Sequence, residues 1–164
     1  MTFVSTTYLR NFVFGVEDSL VSTVGLLSGV AIAGMGTREI FITGLILIFV
    51  EAISMAAGSF LSESTAEEMR TGSDRVSTKS YLASLTMLIS YFISGFIPLV
   101  PYLFLSASAA LWASIGVSLA ALLVLGAASG ALTRTSLTRN AFRMVLIGGL
   151  AIGIGTIVGT LVGG

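Results

Sequence analysis

Five runs of about 20 apolar residues recur along this chain, and each is long enough to cross a bilayer. Inside hydrocarbon no water is available to the backbone, so every amide and carbonyl must be satisfied within its own segment. A chain built from such runs has to be a helical bundle. The spans are expected at about Phe12–Gly34, Phe41–Leu61, Tyr81–Leu99, Ser106–Leu125 and Met144–Val162. Composition agrees: 55% of residues are hydrophobic, 10% are charged, and mean hydropathy is +1.02. A soluble domain carries roughly 25% charged residues. The expectation is one all-α integral membrane domain over residues 1–164 with five transmembrane helices. The first run is expected to remain as a span rather than be cleaved as a signal peptide. It is too long, it contains two acids, and only Arg10 precedes it.

Connections are short. Met35–Ile40 is a tight turn, and Ile97–Leu105 carries Pro98 and Pro101, which cannot continue a helix interior. Residues 62–80 form the one sizeable polar stretch. Its charged half extends the second helix into water, and Thr71, Gly72, Ser73 and Asp74 mark a stop and a turn. Seven of the eight basic residues fall on one side of a five-span chain: Arg10, Arg70, Arg75, Lys79, Arg134, Arg139 and Arg143. The other side holds Arg38. By the positive-inside rule the N-terminus is expected in the cytoplasm and the C-terminus outside.

Absent residues narrow the chemistry. Without Cys there are no disulfides, thiolate metal sites or thiol nucleophiles. Without His there is no ordinary neutral-pH base and no imidazole ligand. Zero net charge offers no electrostatic attraction for nucleic acid. Nothing here composes an enzyme active site. Metal or proton chemistry must use carboxylates, hydroxyls, backbone carbonyls and Met.

All eight acids precede residue 75, and two lie at depth in the first span, side by side at Glu17 and Asp18. A cation pathway is therefore expected mainly on helices 1 and 2, with helices 3 to 5 as support. Gly15, Asp18, Ser22, Gly25 and Gly29 repeat with spacings of 3, 4, 3 and 4, which is one narrow helix face of small and polar groups. Such faces let membrane helices approach closely. Helix 2 has the same period at Gly44, Ile48, Glu51, Met55, Gly58 and Ser62. Glu51 lies mid-span, where a charge is most costly and is by default functional. At 1.5 Å per residue, Asp18 and Met55 are both about 9 Å deep, and Ser22 and Glu51 both about 15 Å. If the faces meet, Asp18 is level with Met55, and Ser22 with Glu51. Two carboxylates and a thioether suit a borderline divalent ion such as iron(II) or manganese(II). Metal and protons would compete for the same oxygens. Gly15, Ser22, Gly25, Gly29, Gly58 and Ser62 would line the path.

Several residues have plainer readings. Met35, Met69, Met87 and Met144 read as packing. Glu17 points away from the seam, toward headgroup water or Arg10. Asp18 could cap helix 1 if that helix begins later. Glu63 and Glu67, at i and i+4, with Glu68 beside them, read as a solvated helix end or as a shallow metal-collecting patch. Gly149/Gly153, Gly155/Gly159 and Gly159/Gly163 have the spacing of close helix packing. On helix 3, Ser80, Ser84, Met87, Tyr91 and Ser94 form a polar stripe, read as hydrogen bonding between helices.

The segments FGVEDSLVSTVGLLSGVAIAG and EAISMAAGSFLSE, followed by a glycine-rich last helix, resemble the vacuolar iron transporter family. The likeness covers both motifs, their order and the five spans. It implies a homodimer in the lipid bilayer that moves iron(II) or manganese(II) out of the cytosol in exchange for protons, with helix 1 of each subunit near the dimer axis. The metal would be cargo, with no permanently bound cofactor. Asp18 matches the family's helix 1 Asp, and Met55 the Met of its Ser-Met-Ala motif. Ser59 stands where members often have Glu, and Glu51 offers an acid on the same helix. Residues 62–80 are too short for the long acidic cytoplasmic domain of eukaryotic members. The membrane would be the cell membrane in a prokaryote and a vacuolar-type membrane in a eukaryote. Alternatives from the residues alone are a membrane scaffold whose acids pair with partner helices, and a passive cation channel.

Overall fold

The computed structural model describes residues 3–72 and 77–163, with side chains from residue 6 onward. The helices are α1 (Phe3–Ile32), α2 (Thr37–Thr71), α3 (Thr78–Leu99), α4 (Pro101–Phe104), α5 (Ala107–Leu132) and α6 (Leu137–Gly163). Five helical stretches are long and apolar enough to cross a membrane, with α3 and α4 together making the third. The five-span, all-α expectation holds among the described residues.

The boundaries differ where polar residues extend a helix past its apolar run. α1 begins nine residues before the expected Phe12, and α5 runs seven residues beyond Leu125. A hydropathy window locates the hydrocarbon core, but helix hydrogen bonds continue into water. α2 extends through its charged half as expected. It stops at Gly72, whose left-handed φ of 65° lets its amide bond Glu68 O. Ser73, Asp74 and Arg75 lie outside the described residues. The Pro98 expectation is corrected. Pro98 sits within the last turn of α3, where its carbonyl accepts from Ser114 Oγ at 2.7 Å. Pro101 follows at the start of α4, where a missing N–H costs nothing. The real break comes at Leu105 and Ser106.

α1 is the central element and packs against α3, α6, α5 and α2. The outer surfaces carry exposed Ile46, Val50, Ile53, Ile93, Val124, Leu150 and Ile154, an apolar jacket suited to lipid. Inside, Leu27, Ile40, Ile48, Leu99, Tyr102 and Ala110 form one cluster. Leu20, Leu122, Leu125 and Met144 form another nearer the opposite end. At that second end Arg10, Arg70 and Lys79 gather around α2, and the α5–α6 turn brings Ser129 and Thr133 beside Thr6 and Arg10. We call it the basic end.

α6 fits against α1 backbone to backbone. A Cβ on Gly155 would lie 2.0 Å from Gly25 O, and one on Gly159 would lie 2.1 Å from Gly29 O. Only glycine permits this approach. The packing reading therefore holds for Gly155, Gly159 and Gly163, while Gly149 and Gly153 have open space.

Candidate functional site: a carboxylate–phenol junction of three helices

α1, α2 and α3 converge where their side chains are small. A Cβ on Gly95 of α3 would meet Ile48 of α2 at 2.7 Å and Ser19 Oγ of α1 at 2.9 Å. A Cβ on Gly15 would strike Ser90 Oγ of α3 at 2.2 Å. These gaps allow polar side chains to span the helices. Ser19 Oγ donates to Tyr91 O at 2.7 Å, which sets the level of α1 against α3. Four residues before Gly95, the buried Tyr91 projects into the junction.

The Tyr91 hydroxyl donates to Glu51 Oε2. Its oxygen stands 2.7 Å from Ser22 Oγ. With the phenolic hydrogen committed to the carboxylate, Ser22 supplies the hydrogen to the phenol oxygen. A continuous polar chain thus runs from α1 through α3 to α2 inside the bundle. The depth match of Ser22 with Glu51 is met, but through an intermediary. Asp18, one turn from Ser22, is half-buried.

Asp18 and Met55 do not share a cavity. Asp18 lines a groove of about 570 Å³ between α1 and α6, together with Ser22, Gly25, Gly29 and Gly155. Met55 lines a chamber of about 580 Å³ among α1, α2 and α3, with Asn11, Gly58, Ser59, Ser62, Glu63 and Met87. Ser22, Gly25 and Gly29 thus line one cavity, and Gly58 and Ser62 the other. Gly15 lines neither of these two; it is buried against Met87 and Ser90 of α3. Part of the α1 seam is occupied within the subunit, because α6 covers the backbone of Gly25 and Gly29.

The basic-end acids are engaged by cations. Glu63 is buried and pairs with Arg10, and its Oε2 lies 3.8 Å from Lys79 Nζ. Glu67 accepts from Ser77 and lies 3.5 Å from Arg70 Nη2. Glu68 is exposed. Arg10 therefore bonds Glu63 rather than Glu17. Glu17 shares a pocket with Arg10, Ser129 and Thr133. Among the described residues, no group of three or more Asp and Glu gathers as a metal cluster.

Two residues were missed as site residues. Tyr91 belongs to the α3 stripe read as hydrogen bonding between helices, and it does bond across them, but the stripe alone does not point to the acids. Asn11 is buried at the chamber wall, where its Oδ1 accepts from Ser59 at 3.2 Å and its Nδ2 has no partner. One Asn just ahead of the first apolar run offers no periodic signal. α3 contributes Tyr91 to the junction, and α6 walls the Asp18 groove.

A family model described as the VIT family matches residues 9–80 and 67–160. Vacuolar iron transporter 1 of Oryza sativa subsp. japonica is 41% identical over 70 residues, covering 42% of this chain and 28% of that protein. Vacuolar iron transporter of Centaurea cyanus is 41% identical over 70 residues, 42% of this chain and 29% of that protein. Vacuolar iron transporter cccA of Arthroderma benhamiae is 33% identical over 84 residues, 46% of this chain and 30% of that protein. The similar stretch spans less than a third of the length of these relatives.

Proposed function

The chain belongs to the VIT family, and from that premise we propose that it transports divalent transition-metal ions, iron(II) or manganese(II), out of the cytosol in exchange for protons. The observation that carries this reading is the pair of acids inside the spans. Asp18 lies on α1 one turn from Ser22, and Glu51 on α2 is joined to Ser22 through Tyr91. Ionisable groups at such depth are costly and rare, and they tend to mark ion or proton pathways.

In this reading the basic end faces the cytosol. An entering ion passes Met55 and reaches the carboxylates. Tyr91 holds Glu51 Oε2, which leaves Oε1 to accept the cation. The carboxylate oxygens take either metal or protons, so loading one releases the other. One subunit offers few ligands, and a second copy about a two-fold axis doubles them. We therefore propose a homodimer, with Asp18 facing the axis through the open part of its groove. The ion is cargo; no resident cofactor and no covalent chemistry are involved.

Purified protein in sealed liposomes tests this reading. Iron(II) or manganese(II) entry should drive countermovement of protons and respond to an imposed pH gradient. Metal flux without proton movement would make the protein a channel. No flux of any divalent ion would favour a scaffold.

A further inference from the structure

Two cavities meet at one ion-paired carboxylate. A polar pocket of about 250 Å³ opens at the basic end between Thr6, Thr7, Glu67, Arg70 and Lys79. The larger chamber holds Met55. Arg10, Ser62 and Glu63 line both, so they form the partition between them. Glu63 on α2 is held from two sides, by Arg10 of α1 and by Lys79 of α3.

The partners differ in freedom. The Glu63 side chain is 10% exposed, and that of Lys79 is 22% exposed. Arg10 is 66% exposed, its long stem ending in water. Arg10 can therefore swing into water while Lys79 stays beside Glu63 at 3.8 Å. Once Arg10 swings outward, Glu63 is left facing the passage as a carboxylate that an incoming cation can accept as ligand.

We propose that the Arg10–Glu63 pair is the gate between the basic-end pocket and the Met55 chamber, with Arg10 as the moving arm and Glu63 as the fixed stop. The inference rests on the transport reading for its purpose, and its test reads access rather than flux.

The chain has no cysteine, so single reporters can be introduced. Met55→Cys reports the chamber, and Met69→Cys, at a residue 79% exposed, reports the basic-end surface. A membrane-impermeant thiol reagent is applied to the basic-end side of reconstituted protein. Met55→Cys should label about fivefold faster or more when combined with Glu63→Gln, the ratio for a pair worth about 1 kcal/mol. Met69→Cys should label equally with either residue at position 63. Should Glu63→Gln fail to fold, Arg10→Gln gives the same acceleration, and Arg10→Lys, which keeps the charge, stays slow. Equal rates for Met55→Cys in all these backgrounds, or rapid labelling with the pair intact, would overturn the gate. A rate contrast together with no flux of any divalent ion in the protein that retains Met55 would leave the gate standing and sink the transport reading.

Discussion

Tyr91 donates its hydroxyl hydrogen to the carboxylate of Glu51, a residue 40 positions earlier in the chain and on the neighbouring helix. The pairing satisfies an acid that hydrocarbon would otherwise penalise, and it ties the middle of α2 to α3. A hydrogen bond between membrane helices contributes about 0.6–2 kcal/mol. Tyr91→Phe, which keeps the ring and removes the donor, should lower unfolding stability by about that amount. In a double-mutant cycle with Glu51→Gln the two losses should be non-additive. Additive losses in detergent unfolding would show that the contact carries no energy.

Asp18→Asn and Glu51→Gln should each abolish metal flux while the protein stays folded. Both substitutions are nearly isosteric, so packing is preserved and only the charge is lost. Full flux in both variants would remove these acids from the pathway.

Protons and metal should compete. As pH falls on the loading side, protons compete for the oxygens that would bind the ion, so metal affinity should fall. Met55 does not titrate, and Met55→Leu should keep that pH dependence. It should instead weaken iron(II) binding more than magnesium binding, because the softer ion gains more from sulfur. Equal losses for all ions in a binding titration would reduce Met55 to a packing residue.

Gly155 and Gly153 lie on the same helix two residues apart, and they should respond oppositely to one methyl group. Gly155→Ala puts a Cβ 2.0 Å from Gly25 O, so the α1 and α6 backbones must separate. Overpacking of this kind costs about 1–3 kcal/mol. Gly153→Ala meets nothing within 4 Å and should be neutral or stabilising, since Ala restricts the unfolded chain more than Gly. Thermal unfolding of the two variants would separate them, and equal melting would contradict the α1–α6 fit.

The homodimer is tested through the open part of the Asp18 groove. Gly25 is covered by α6 within its own subunit, so a cysteine there meets Ala151 rather than a second copy. Val21→Cys or Leu26→Cys, on the groove wall, should crosslink subunit to subunit in lipid. Monomer at both positions would favour a pathway within one subunit.

Hydropathy alone determined that five helices span a bilayer, because the cost of an unsatisfied backbone in hydrocarbon leaves no other architecture for such runs. It likewise singled out Glu51 and Asp18, since acids at depth are rare whatever surrounds them. Helical period showed which residues share a face, and depth put Ser22 level with Glu51. Neither property says which face meets which neighbour. That is an azimuthal question, decided when whole helices pack, and it is where the tertiary structure added Tyr91 as the link between Glu51 and Ser22. It also turned half of the α1 glycine seam toward α6, because Gly155 and Gly159 allow a closer approach than any partner with side chains. The basic-end acids show the same division. Their i, i+4 spacing made Glu63 and Glu67 neighbours, but only the convergence of α1 and α3 on α2 brought Arg10 and Lys79 to Glu63 and closed the partition above Met55.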